Sequence, residues 1–247
     1  MGLQPEQLDL IQQVLARSAG DLTGPLASAS DVPLEARLEQ LTRAALDDVP
    51  GVDYVGLTMR EGRSGLKTYA PTSTAITELD QLQVTLNEGP CLDAIAVGTS
   101  TLIEVIDFTG ETQRWPQFAP AAVEHGARSL LSFAMAPEGA VPGAINFYSR
   151  SQDGFDTVAK VIAGAFAMQA AIAVYGARQV ANLQDALATR DVIGQAKGIL
   201  MHRHGVDAEK AFAMLVKASQ EANMKLVNVA RWLTDDVAKQ SIDRRGL

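Results

Sequence analysis

The chain has 247 residues, 47% of them apolar, a net charge of -8 and a single cysteine, Cys91. That length allows one domain with a sizeable core and a smaller second one, and a lone cysteine excludes an internal disulfide framework and a cysteine-rich zinc site. The opening residues lack the basic-then-apolar form of a signal peptide, and no apolar run approaches membrane length, so a soluble cytoplasmic protein without a membrane partner is expected.

Taken whole, the negative charge argues against a nucleic-acid binder, but the charge is uneven. From Thr189 onward there are 10 Lys+Arg against 7 Asp+Glu, a balance of +3, and the preceding part holds 11 against 22, or -11. Phosphate contact is permitted at the C-terminal end and discouraged elsewhere. A balance of +3 also suits an ordinary solvated helical surface.

In chain order, Leu8, Ile11 and Leu15 mark an amphipathic helix over residues 4–19. The Ser/Ala/Gly/Pro-rich stretch 20–33 reads as a linker, and Leu34, Leu38, Leu41 and Ala45 mark a second helix ending before Pro50-Gly51. The period then changes. Residues 52–59 read as a strand, Glu61-Gly62-Arg63-Ser64-Gly65 as a turn, and 66–70 as a second strand. After a helical interval with Pro90 and Cys91, residues 101–106 form a third strand, and 128–136 and 143–148 a hairpin across Pro137-Glu138-Gly139. Five or six strands flanked by helices indicate an α+β sheet domain.

Within it, Asn87-Glu88-Gly89-Pro90-Cys91-Leu92-Asp93-Ala94, Asp107 followed by Arg114-Trp115-Pro116, the run Gly126 to Ser132 and the run Gly143 to Ser149 resemble a GAF domain of the kind found in actinobacterial regulators. The resemblance covers residues 34–174. It implies a GAF-like antiparallel sheet and a sensory role, with a small-molecule ligand as a partner and the ligand's identity open. Cys91 reads as a small buried hydrophobe rather than a redox sensor. His125 reads as a helix-end residue rather than a haem ligand, and Trp115 as a packing anchor rather than a ligand stack. No catalytic set, metal site or cofactor is expected, and the chain does not read as an enzyme.

Residues 156–190 contain no proline and keep a seam at steps of three and four: Ala159, Ile162, Phe166, Gln169, Ala173, Gly176, Val180, Leu183, Leu187. That heptad spacing predicts a coiled-coil connector able to pair two chains, weakened at Gln169 and Gly176. The alternative is a last helix of the sheet domain that breaks at Gly176.

The seam leads into Arg190-Asp191-Val192-Ile193-Gly194-Gln195-Ala196-Lys197-Gly198-Ile199-Leu200-Met201. On a helical wheel Ile193, Ala196 and Leu200 share one face, and Gly194, Gly198, Met201, Gln195 and His202 the other. Each interior glycine costs a helix about 1 kcal/mol relative to alanine, so two one turn apart need a reason. They bare a strip of backbone that either a partner helix or a ligand can approach, and helix packing is the reading that geometry favours. Gly205 suits a helix stop and Asp207 an N-cap. Ala211, Phe212, Leu215, Val216 and Ser219 then mark one face of a second helix. Asn223 offers a break before a third with Leu226, Val229, Ala230, Leu233 and Val237.

This run, with Ala211-Phe212, Leu215, Ser219-Gln220 and Ala230, resembles an ANTAR domain over residues 187–238. The ANTAR family is named for transcription antitermination regulators and binds RNA. The resemblance implies binding of paired stem-loops in nascent transcripts, with Lys197 and Arg203 on phosphate and Gln195 at a base edge. Gly194 and Gly198 would allow close approach, Met201 would be an apolar floor, and Ser219 and Lys225 would complete the surface. The expected organisation is an N-terminal helix and linker at 1–33, a GAF-like sensor domain at 34–174, a helical connector at 175–186 and an ANTAR domain at 187–247, paired as a homodimer through the connector. Two other classes remain open: a DNA-binding factor, disfavoured because the third helix offers only Lys225, Asn228 and Arg231 before Asp235 and Asp236, and a protein-interaction module.

Overall fold

The structure is a computed structural model describing residues 4–23, 32–61, 65–97, 101–135 and 143–243. The chain divides into two compact units, Met1–Ala177 and Arg178–Leu247.

The first unit is built on a five-stranded antiparallel sheet among the described residues. Its strands are β1 (Tyr54–Glu61), β2 (Gly65–Tyr69), β3 (Leu102–Val105), β4 (Ser129–Ala134) and β5 (Gly143–Ser149), in the order β2-β1-β5-β4-β3. Strand β5 is central and buried along its whole length, because both faces of the sheet are covered and successive side chains enter opposite cores. Ile145 and Phe147 pack with Val55, Leu57 and Leu131 under α1 (Pro5–Thr23), α2 (Leu34–Asp48) and the first part of α6 (Thr157–His204). Ala144 and Tyr148 pack with Leu130 and Val105 under α3 (Thr74–Leu86), α4 (Pro90–Val97) and α5 (Phe118–Glu124).

Several expectations shift. Helix α1 runs four residues beyond its expected end, so Gly20 to Thr23 are helical; residues 24–31 of the expected linker lie outside the described residues, as do Gly62 to Ser64 and the Pro137-Glu138-Gly139 turn. In α1 the buried positions are Ile11 and Val14 while Leu8 is exposed, because the helix meets the core on a stripe three residues apart; the side chain of Leu15 is outside the described set.

Helix α6 is continuous through Gly176, so the long connector helix is present and the alternative of a helix breaking there is not. Ala159, Ile162, Phe166 and Ala173 of the predicted seam are buried in the sheet domain's core, whereas Val180, Leu183 and Leu187 are 53%, 63% and 58% exposed. An 18-residue window of α6 has mean hydropathy 1.7, long and apolar enough by composition to cross a membrane, and 44% of it is buried. The sequence reading missed that run because Gln169 interrupts it.

The second unit contains the end of α6, α7 (Ala208–Glu221) and α8 (Leu226–Asp243). Its core is Ala196, Leu200, Ala211, Leu215, Ala230 and Leu233. Three alanines at the centre bring the helix backbones close, so a small core suffices. Gly205 stops α6 at φ +63, its amide bonding the Met201 carbonyl at 2.9 Å, and the Asp207 carboxylate caps α7 by accepting from the Lys210 amide at 2.8 Å.

Candidate nucleic-acid interface

In the second unit the face of α6 opposite the core is open. Ala196 is fully buried and Leu200 nearly so, while Gly194, Gln195, Gly198, Met201 and Arg203 are exposed and Lys197 is half-buried. A methyl group added at Gly194 or Gly198 would meet nothing within 4 Å among the described residues. Among the described residues the glycine strip is therefore not used for packing within this unit, so the partner helix that geometry favoured, or a ligand, would come from outside it. The helix forgoes about 1 kcal/mol per glycine with no local return, which places the reason for the glycines outside the unit.

Beside this strip lies a groove of about 830 Å³ whose lining includes Arg190, Ile193, Gly194, Gln195, Lys197 and Phe212. Phe212 was expected on the core face of α7. It is instead 43% exposed, because Ala211 and Leu215 take the core and residue 212 falls one step around the helix. The Lys197 Nζ stands 6.0 Å from the Phe212 ring centroid.

The remaining expected contacts lie elsewhere on the unit. The Ser219 hydroxyl donates to the Met224 carbonyl at 2.6 Å and the Met224 amide returns a bond to the Ser219 carbonyl at 3.0 Å, closing the turn between α7 and α8 around Asn223 at φ +50. Ser219 thus holds the turn. Lys225 is exposed at the start of α8, its carbonyl taking the first helical bonds. Arg203 sits in the last turn of α6, where a cation also complements the helix dipole. Sequence reasoning passed over Trp232, which is 68% exposed on α8; its signal was its position outside the Leu226, Ala230, Leu233 stripe.

The sheet domain holds a buried polar row on its α3/α4 face. The Thr58 and Thr68 hydroxyls donate to Asp80 Oδ2 at 2.7 and 2.8 Å, Asn146 Nδ2 donates to Thr58 Oγ1 at 3.3 Å, and the Ser132 hydroxyl donates to Asn146 Oδ1 at 2.6 Å. The row thus crosses four strands. Desolvation raises the Asp80 pKa to about 6 against the lowering effect of the two threonines. The Tyr148 hydroxyl is buried beside Asp80, Cys91 and Gln83. Burial pushes the Cys91 thiol up to about 12, so it is a packed hydrophobe and not a reactive thiolate. His125 Nδ1 lies 2.8 Å from the Ala121 carbonyl and Nε2 3.4 Å from Glu78, so both ring nitrogens are engaged at the end of α5. Trp115 is 2% exposed and meets Phe118 edge-on, as a packing anchor does. Among the described residues no cluster of His, Cys, Asp and Glu could hold a metal ion.

Residues 181–233 match the family model of the ANTAR domain. No curated protein matches the chain. Among solved structures, the GAF domain of a phosphoenolpyruvate-protein phosphotransferase from Coxiella burnetii is similar at 15% identity and TM-score 0.50, over 71% of this chain and 96% of that one. An N-acylhomoserine lactone dependent LuxR family transcription factor from Burkholderia cenocepacia (14% identity, TM-score 0.49, 71% and 99% covered) and a free methionine-R-sulfoxide reductase from Neisseria meningitidis (15%, 0.48, 73% and 96%) are also similar. The sheet unit has the GAF fold on the first of these likenesses, and the chain has a GAF-plus-ANTAR architecture. ANTAR domains are RNA-binding antitermination modules, so this is the architecture of a regulator.

Proposed function

We propose that the protein is a signal-responsive regulator that controls transcription termination by binding paired stem-loops in nascent leader RNA. The supporting observation is the open strip of α6. Gly194 and Gly198 have free space beside them, while Arg190, Lys197 and Arg203 supply charge along the same helix. RNA loops suit such a surface, since unpaired bases offer edges and faces while phosphates give the salt-dependent part of affinity. Gln195 would read a base edge and Met201 would floor the site, with Lys225 extending it and Ser219 acting through the turn it closes.

Few cations mean modest affinity for one unit, so pairing matters. The exposed row Val180, Leu183 and Leu187 keeps heptad spacing and would join two copies, setting two units on two stem-loops at once. The GAF-fold domain would sense the signal. The role is regulatory rather than catalytic, and the place of action is the cytoplasm, where transcripts are made.

The test measures binding of the full chain to paired-hairpin RNA, single-hairpin RNA and duplex DNA at two salt concentrations, with mass determined alongside. Preference for the paired RNA by a dimer is expected, and Lys197→Ala should lower both affinity and the salt slope. Equal binding to duplex DNA, or no binding to any of the three, would sink the reading.

A further inference from the structure

We infer that Phe212 is a stacking platform for an unpaired RNA base that enters the groove between α6 and α7. The inference rests on the RNA-binding reading and names what the groove takes. Three observations carry it. A phenylalanine that could have packed in the core stands 43% exposed at the groove wall. Gly194, on the same lining, carries no side chain, and a Cβ added there would meet no described atom within 4 Å beyond its chain neighbours and its own helix backbone. Arg190 and Lys197 share the lining with Asp185 and Asp191, so the groove's charges cancel.

A groove with balanced charge is a poor trap for phosphate alone. It suits a nucleobase, whose flat face stacks on an aromatic ring and whose edge carries both donors and acceptors. Gln195 and the two carboxylates can meet amino groups of the base, and Arg190 its acceptor atoms. The Lys197 Nζ, 6.0 Å from the ring, is at the outer limit of a cation–π contact and so remains available for the phosphate flanking the stacked base. The bare backbone at Gly194 admits the sugar-phosphate chain as the base turns in.

The test uses the full chain and paired stem-loop RNAs with randomised loops, comparing wild type with Phe212→Leu, which keeps apolar bulk and loses the π face, and Phe212→Tyr, which keeps it. Stacking predicts that Phe212→Leu weakens binding about 5- to 100-fold with the salt slope unchanged, and that Phe212→Tyr binds as wild type does. Abasic residues in the loops should weaken wild type and add nothing to Phe212→Leu. Wild-type affinity for Phe212→Leu, or a Phe212→Tyr protein as weak as Phe212→Leu, overturns the stacking role while leaving RNA binding intact. Failure of the wild-type chain to bind any stem-loop RNA overturns the RNA reading and this inference with it.

Discussion

The Thr58 hydroxyl donates to Asp80 Oδ2 across 2.7 Å in the interior of the sheet domain, and it is one of only two hydroxyls offsetting the desolvation of that carboxylate. The balance leaves Asp80 titrating near 6 instead of 3.8. For an acid whose folded pKa is raised, the stabilising proton is bound fully below the unfolded pKa and lost as pH rises through the folded one. Wild type should therefore lose stability between about pH 4 and pH 7 relative to Asp80→Asn, by on the order of 2 kcal/mol. Urea midpoints of the two proteins at pH 4.5 and 7.5 check this, and parallel curves would show that Asp80 does not titrate in that window.

Gly194→Ala and Gly198→Ala should each stabilise the second unit by about 0.5–1 kcal/mol, since the new methyl meets open space and alanine is the better helix former. Both should weaken RNA binding if the strip admits backbone. Thermal melts and RNA titrations on the same samples separate the two effects. Stabilised variants with undiminished RNA affinity would leave the glycines without a role in binding.

Leu183→Glu and Leu187→Glu replace exposed side chains, so neither should unfold the chain. Each should shift the mass from dimer to monomer in sedimentation, because a charge in a heptad seam is buried only in the pair. A wild-type chain that sediments as a monomer at all concentrations tested would remove the seam from the mechanism.

The two tryptophans should behave oppositely. Trp115→Ala removes the ring that meets Phe108 and Phe118 and should cost about 3–5 kcal/mol. Trp232→Ala should stay within about 0.5 kcal/mol, its ring being 68% exposed. Chemical denaturation measures both.

The motifs that resemble the GAF family turn out to be braces. Arg114 Nη2 lies 2.9 Å from Asp93, and Arg128 forms two bonds to Asp107, whose pKa its hydrogen bonds hold down at about 2. Glu88 accepts from the Gln117 and Phe118 amides at 2.9 and 3.0 Å, capping the start of α5, while Gln83 Oε1 accepts from the Cys91 amide at 2.9 Å. These pairs lie 21 to 30 residues apart, apart from the local Gln83–Cys91 bond. A linear reading shows the residues and hides the partners.

Local periodicity and turn chemistry by themselves determined the strands, the first two helices and the three C-terminal helices, because alternating or 3.6-residue patterns record which face is buried, but left α3, α4 and α5 unresolved. They could not decide what each face meets. The seam of α6 is weakened at Gln169 and Gly176 in sequence, and the structure adds where it divides: the sheet domain buries Ala159, Ile162, Phe166 and Ala173 while Val180, Leu183 and Leu187 stand in solvent. Phe212 shares a helix face with Ala211 and Leu215 in sequence yet lines a groove, and Gly194 and Gly198, open in sequence to a partner helix or a ligand, face open space within the unit. Only tertiary structure settles such positions, since burial at the edge of a helical stripe depends on where the neighbouring helix crosses, and that crossing is set by residues distant in the chain.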